Sequence, residues 1–553
     1  MQRDTTKRFY AVHSWVGAIT AVLIFIIAFT GAVSVFGRPE IKTWAHEVSH
    51  VPAELDPQRI EQILREDAAT VPEAYLDNIQ VLMPGVRRRP VLSVQFDREV
   101  ETADGRTEHH IIRFDHDPKT YKLVDRLEGE PREVFEGEQK DLADFIITFH
   151  ADLHLGNPIG LLLTGLLGLT LFASIVTGVI THRKVLKEAF TFRPFRSLRL
   201  LFTDSHKVLG VWGLVFNSAI AFTGAFLGLA VVLLLPAAAY VSFEGDLDKM
   251  VETYLPLNEP EKSGIPAELK IAEVLSAVDQ PENGPIVSAQ LLTGTDQAGV
   301  AHVYTLAGDG IGGETHRYQL NGTVLESVTS QFSQLGGAAG PILDAMFPIH
   351  FGNFGGTVVK LIWFVLGLGT ALLAVSGSMI WVERRVHGSS GSLSVASYRR
   401  ISRFTVGACC GVVLATVLLF HLQLFVLPKV ASTQTWLMGT FFGSWVLAIA
   451  WSMLRTNDYQ TTRELLGLTG AAAALVPLAN GFVTGNHLLN VFSGGHWVTA
   501  GVDLGLLLLG AALVLIALKL PSQRPLRKSE TRQSVNPSSG LSGDLAYPEA
   551  STS

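Results

Sequence analysis

His13-Ser14-Trp15-Val16-Gly17, running on to Ala28-Phe29-Thr30-Gly31, recurs further along the chain as His206-Lys207-Val208-Leu209-Gly210, running on to Ala221-Phe222-Thr223-Gly224. From histidine to the Thr-Gly pair the offsets are identical, 17 and 18 residues. Both copies lie in apolar runs long enough to cross a bilayer, which takes roughly 20 residues, so the repeated unit is built on membrane helices. Two further runs match more loosely. His150 precedes Thr177-Gly178 and His350 precedes Ser376-Gly377, and each run then meets basic residues, His182-Arg183-Lys184 and Arg384-Arg385.

The composition agrees. Of 553 residues 48% are hydrophobic and 17% charged, whereas a soluble chain carries about a quarter charged residues. A net charge of -7 offers nothing to nucleic acid. The two cysteines, Cys409 and Cys410, are neighbours in an apolar run, so neither a disulfide framework nor a thiolate cluster is available. Eight spans are expected, near 12–36, 157–181, 208–235, 358–382, 404–427, 434–454, 464–482 and 498–518. The first is too long in its apolar core for a cleavable signal.

Loop charge orients the spans. Residues 183–203 hold six Lys/Arg against one acid and 383–403 five against one, which places that side and both termini in the cytoplasm. The loops near 38–145 and 240–345 then fall outside, the second with fifteen acids to four bases. Each external loop reads as one helix followed by strands. In the first, the helix is Pro57–Ala69 and the strands Ile79–Met83, Val91–Phe96, His110–Phe114 and Tyr121–Val124. In the second, the helix is Ala267–Val278 and the strands Ile286–Leu292, Ala301–Leu306, His316–Leu320 and Thr323–Leu325. The expected fold is therefore a polytopic α-helical membrane protein of about eight spans. Its core is a duplicated span–α+β domain–span unit, followed by a four-helix extension.

The repeat sets His13 and His206 at the cytoplasmic ends of the first and third spans, and His150 and His350 at the external ends of the second and fourth. Packed pseudo-symmetrically, the members of each pair face one another. An imidazole can bind a metal through one nitrogen while donating the other to a carbonyl, so each pair can hold a haem iron from above and below. Gly17 and Gly210, one turn beyond their histidines, could leave room for a flat macrocycle, although such glycines also serve helix packing. A single boundary histidine is most simply an interfacial polar residue; repeat-equivalent pairs favour ligands. A bare iron at the same places finds few carboxylate partners at membrane depth.

These motifs resemble the PepSY-associated transmembrane family, iron-regulated inner-membrane proteins that include periplasmic ferric-siderophore reductases. The resemblance rests on His13-x3-Gly17, His150-x2-Leu153-x2-Gly156-x-Pro158, His206-x3-Gly210, the Thr-Gly pairs, and Pro348-Ile349-His350-Phe351-Gly352, and covers about 1–390. It implies b-type haems, two of them, on His13/His206 and His150/His350, and electrons passed outward to a ferric siderophore or other ferric chelate. It also implies membrane segments at 1–37, 146–182, 207–236 and 346–384, PepSY-like domains at 38–145 and 237–345, and cytoplasmic loops at 183–206 and 385–403. The chain departs from the family's four-span pattern in its extension at 404–519, followed by a tail at 520–553 expected to be disordered.

Other groups compete. His154 shares a helical face with His150 and is the alternative ligand. His46 and His50 could receive iron, or be plain polar residues; His182 reads as a cytoplasmic anchor. Arg87-Arg88-Arg89 could attract an anionic chelate, or be a solvated turn. His421, His487 and His496 lie in the extension without an assigned role. No dinucleotide fingerprint, P-loop or nucleophile elbow occurs, so electrons are expected from a quinol or a separate cytoplasmic reductase. The competing readings are a membrane-anchored binding or inhibitory module, and a repeat-based transporter.

Overall fold

The computed structural model describes residues 3–46, 55–84, 91–101, 107–136, 140–182, 190, 192–193, 198–246, 249–250, 253, 260–278, 286–306, 313–328, 338–386, 393–493 and 496–522. Its helices are α1 (Arg3–Ser34), α2 (Lys42–His46), α3 (Pro57–Ala68), α4 (Pro131–Glu136), α5 (Leu142–Asp152), α6 (Ile159–Thr181), α7 (Leu198–Trp212), α8 (Leu214–Leu229) and α9 (Leu235–Ser242). They continue with α10 (Ala272–Val278), α11 (Ala339–Phe351), α12 (Gly356–Val386), α13 (Val395–Phe425), α14 (Thr433–Leu454), α15 (Asp458–Thr484), α16 (Leu488–Ser493) and α17 (Trp497–Lys519). The strands are β1 (Asn78–Leu82), β2 (Leu92–Glu101), β3 (Thr107–His116), β4 (Leu123–Gly129), β5 (Ile286–Leu292), β6 (Val300–Leu306), β7 (Gly313–Gln319) and β8 (Val324–Val328).

Each loop forms a four-stranded meander, and the two meanders join into one antiparallel sheet, ordered β4-β3-β2-β1-β5-β6-β7-β8. The seam is the β1–β5 ladder, with Gln80 opposite Gln290. Pairing the first strand of each half covers two edges that would otherwise expose unpaired backbone groups. Strand alternation turns Ile79, Val81, Val94, Phe96, Ala289, Leu291 and Val303 to one face, which α3 and α10 cover with Ile60, Ile63, Leu64, Val274, Leu275 and Val278. Each buried Val, Leu, Ile or Phe among them contributes about 1.5–3 kcal/mol.

Helix α3 starts where Asp56 accepts from the Gln58 and Arg59 backbone amides, with Pro57 next, an arrangement that satisfies orphan N–H groups and pre-sets φ. Asp67 on α3 receives His116 Nε2 at 2.8 Å. Burial pulls the His116 imidazole down, but its hydrogen bond and charge contact with Asp67 outweigh that and hold it above its ordinary range.

Among the described residues seven helices are long and apolar enough to cross a membrane, and α7 and α8, bent by 73° at their junction, make an eighth if counted as one span. A third span was expected over 208–235. The break falls at Gly213, where a Cβ would come within 2.8 Å of the Asn217 amide and 2.9 Å of the Leu209 carbonyl. The Ala/Gly-rich seventh span is a full helix, α15, locked to α17 by small residues: a Cβ on Gly470 would stand 2.7 Å from the Gly510 carbonyl. Of the extension, α13 is the most enclosed, burying Val412, Ala415 and Leu419 against the core formed by Phe25, Phe29, Phe145 and Phe149. Trp44 and Asn480 both donate to the buried Asp503 carboxylate of α17, at 2.8 and 2.9 Å.

Candidate functional site: two facing histidine pairs

Four imidazoles meet in two pairs. His13 on α1 faces His206 on α7 with ring centroids 6.2 Å apart, and His150 on α5 faces His350 on α11 at 6.1 Å. The first pair lies at the end of the bundle far from the sheet. The second lies on the sheet side, since α5 and α11 are the helices by which the two sheet halves return to the membrane. Along α1, His13 is fourteen residues from Ile27, which bonds His150, or about 21 Å at 1.5 Å per residue.

All four Nδ1 atoms are engaged. His13 Nδ1 donates to the Ser174 carbonyl at 2.9 Å, His150 Nδ1 to Ile27 at 2.9 Å, and His206 Nδ1 to Leu373 at 3.0 Å. Each of these carbonyls lies four residues before a glycine, namely Gly178, Gly31 and Gly377. His350 departs from the pattern by bonding Thr223 Oγ1 at 2.9 Å. The Thr223 hydroxyl spends its proton on the Ala219 carbonyl, so its oxygen accepts from His350. With Nδ1 protonated, every Nε2 presents its lone pair as a ligand.

The glycines explain the close approach. A Cβ would lie 2.6 Å from His150 Cε1 at Gly31, 3.0 Å from His350 Cε1 at Gly224, 3.1 Å from His206 Cε1 at Gly377 and 3.2 Å from His13 Cε1 at Gly178. The repeated Thr/Ser-Gly pairs are therefore seats, each receiving an imidazole from a neighbouring helix. Their recurrence was visible in the sequence, but this role was not.

The separations suit one iron per pair. A metal–imidazole bond is about 2.0–2.1 Å, and about 1.1 Å more reaches each ring centre, which puts the centroids about 6.2–6.4 Å apart. Among the described residues no cluster of three or more His, Cys, Asp or Glu side chains could hold a bare ion. Two imidazoles alone suit an iron whose other four positions a macrocycle fills. Gly17 has nothing within 4 Å of where its Cβ would be, and Gly210 meets only Leu373 Cδ1 at 3.6 Å. Room of that kind beside His13 and His206 fits a flat ring.

Helix α5 is held by charge. Asp141 caps it by accepting from the Asp144 backbone amide at 2.9 Å. Lys42 reaches Asp141 at 2.9 Å and Asp144 at 2.7 Å, with Arg38 on Asp144 at 3.2 Å. On α12, Lys360 binds Glu40 at 2.7 Å and the Arg38 carbonyl at 2.9 Å. Lys42→Met removes the cation that bridges two buried carboxylates, Asp141 and Asp144. It is expected to cost about 3–5 kcal/mol, read as a lower thermal unfolding midpoint in detergent, with Lys42→Arg closer to the natural chain.

The remaining candidates lie elsewhere. His154 packs against Phe145 with the rings tilted by 40° and centroids 4.2 Å apart, and its buried Nε2 has no hydrogen-bond partner among the described residues. His182 ends α6, and His421 Nε2 bonds the Ala472 carbonyl at 2.9 Å. His487 Nδ1 accepts from the Asn490 amide at 3.3 Å, and His496 precedes α17. His46 closes α2; His50 and Arg87–Arg89 lie outside the described residues.

Comparison with known proteins agrees with the sequence motifs. The model of the PepSY-associated TM region matches residues 10–384. An uncharacterized protein of Pseudomonas aeruginosa is 29% identical over 386 residues, covering 67% of this chain and 93% of the relative.

Proposed function

The chain belongs to the family of the PepSY-associated TM region, and from that premise we propose that it is an inner-membrane haem b protein that reduces ferric iron, held in a siderophore or other ferric chelate, on the periplasmic side during iron acquisition. The observation carrying this reading is the pair of imidazole separations, 6.2 and 6.1 Å, with every Nδ1 spent on a helix and every Nε2 left to ligate. When bound, haem would supply a one-electron carrier at each pair. His13 and His206 would hold the inner group, His150 and His350 the outer.

The chain's own work is to fix the ligands. Carbonyls of Ser174, Ile27 and Leu373 and the Thr223 hydroxyl accept from the imidazoles, orienting them and raising their basicity. Apolar burial around Phe25, Phe29 and Phe149 keeps water from the core, a main lever on haem potential. Reduction would favour release, since hard-oxygen chelators prefer the ferric ion. The basic loops favour a periplasmic position for the sheet, with the outer pair beneath it. The donor would be a membrane quinol or a separate reductase.

The test is a reduced-minus-oxidised absorption spectrum of the detergent-purified protein, with haem quantified per chain. A b-type spectrum near two haems per chain is expected. Haem-free protein from cells well supplied with haem precursor would overturn the reading. A repeat-based transporter has one observation on its side, the 73° break between α7 and α8, and substrate flux through haem-free protein would support it.

A further inference from the structure

Helix α7 carries a second face beside the one that presents His206. Ser205, Val208, Leu209 and Trp212 follow the three-and-four spacing of one helical face. Together with Phe190 and Phe192 from the preceding basic loop they line an open cavity of about 400 Å³. Small-molecule sites run from roughly 300 to 1,000 Å³ and are mostly apolar and aromatic, with a few placed polar groups. Among the described residues Ser205 gives this lining its one hydroxyl, and Phe190, Phe192 and Trp212 supply the rings.

A buried ion pair holds the wall in place. Asp204 is 0% exposed and accepts from the Arg193 backbone amide at 3.0 Å, from its Nε at 2.9 Å and from its Nη2 at 2.9 Å. This fork-like grip fastens the loop to α7, with Arg193 next to Phe192 and Asp204 next to Ser205. Phe190 meets Trp212 edge to face, their centroids 5.6 Å apart. The rings are nonetheless uncovered, Phe190 at 82%, Phe192 at 52% and Trp212 at 65% exposed. Lipid tails would satisfy bare apolar surface, but they call for neither three aromatic rings nor a hydroxyl.

The cavity also borders the histidine pair far from the sheet. Ser205 precedes His206, and their Cα atoms stand about 3.8 Å apart across one peptide. Leu209 reaches α12, where a Cβ on Gly369 would lie 3.7 Å from Leu209 Cδ2. The same α12 gives His206 its Leu373 carbonyl. Trp212 is the last residue of α7, where the span bends by 73°.

We propose that this cavity seats the head group of a membrane isoprenoid quinol, the electron donor to the His13/His206 pair. A quinol is a flat ring with two hydroxyls and an apolar tail. The exposed rings stack the head group, the Ser205 hydroxyl bonds one of its oxygens, and the tail follows the span into lipid. The step balances. Both hydroxyl protons leave to water on the basic-loop side, two electrons pass singly to the one-electron carrier at the pair, quinone departs, and two ferric ions become ferrous. This assignment rests on the haem reading and names the donor for it.

The full chain in lipid nanodiscs would be irradiated with an azido-ubiquinone and its labelled peptides mapped. Label on α7 or on the peptide bearing Phe190 and Phe192, displaced by decylubiquinone but not by decanol, is expected. In stopped flow, decylubiquinol should reduce the haem of the natural chain. The Phe192→Leu, Trp212→Leu double variant keeps an apolar lining without those rings. It should be reduced roughly tenfold or more slowly, with haem content and the dithionite-reduced spectrum unchanged. Asp204→Asn, which weakens the grip on the loop, should slow the reduction as well.

Label elsewhere, displacement by decanol as readily as by decylubiquinone, or a double variant reduced at the natural rate would each overturn the site. Protein isolated without haem from cells well supplied with its precursor, yet labelled and protected in this way, would support the quinone site and sink the redox reading. Haem-loaded protein that reduces a ferric chelate but takes no electrons from decylubiquinol would keep the redox reading and overturn the site.

Discussion

His350→Ala protein is expected to hold one b-type haem per chain, against the two expected of the natural sequence, and to reduce ferric chelate no faster than background. The substitution removes one of the two imidazoles whose centres stand 6.1 Å apart, and no other histidine shares that pair. Among the described residues His154 is the alternative, four residues beyond His150. Its ring packs against Phe145 at 4.2 Å between centroids, so it belongs to the aromatic packing of α5 rather than to the facing pair. His154→Ala should therefore keep both haems, and His150→Ala should reproduce the loss seen with His350→Ala. His13→Ala or His206→Ala should remove the other haem instead. The two losses are expected to be separable, because about 21 Å of α1 lies between the pairs. Haem per chain, measured beside the reduced spectrum, checks all five proteins. Two haems in His350→Ala would mean the pairing is wrong.

Much of this was legible in the sequence because duplication supplies its own control. A boundary histidine alone says little, but His13 and His206 recur with the same offset to a Thr-Gly pair, and chance rarely repeats a spacing. The eight strands were also readable, since alternation and turns are local signals. What alternation does not carry is which edge meets which. The β1–β5 ladder that fuses the two halves joins residues more than 200 positions apart, so a sequence pattern yields two sheets as readily as one.

The purpose of the Thr-Gly pairs was hidden for the same reason. Periodicity assigns Gly31 to a helix face, but not the His150 ring that arrives there from α5. Lys42 and Asp144 were unreadable in another way. Charged residues just past a span look solvated, and only their mutual enclosure shows them to be buried. Gly213 was read as part of a continuous span because glycine in a membrane helix serves packing as often as a break.

Gly31→Ala is expected to abolish haem at the sheet-side pair while leaving the helix intact or firmer. Two effects oppose each other. Alanine is the better helix former by about 1 kcal/mol, which alone would stabilise α1. The added methyl, however, would stand 2.6 Å from His150 Cε1, closer than the ring can tolerate. The imidazole must withdraw, breaking its 2.9 Å bond to the Ile27 carbonyl and turning Nε2 away from the shared axis. The remaining seats grade the effect. Gly224→Ala, at 3.0 Å from His350, should weaken haem retention clearly. Gly377→Ala and Gly178→Ala, at 3.1 and 3.2 Å from their rings, require the imidazole to give by only a few tenths of an ångström and should shift the haem midpoint potential more than occupancy. Gly17→Ala supplies the contrast, because nothing lies within 4 Å of its would-be Cβ. Haem-free Gly17→Ala protein should unfold at a temperature equal to or above the natural chain's, whereas its haem affinity should fall if the macrocycle occupies that space. Potentiometric titration and haem quantification across the five variants check the ranking. A Gly31→Ala protein with two haems and unshifted potentials would show that the Thr-Gly pairs merely pack helices.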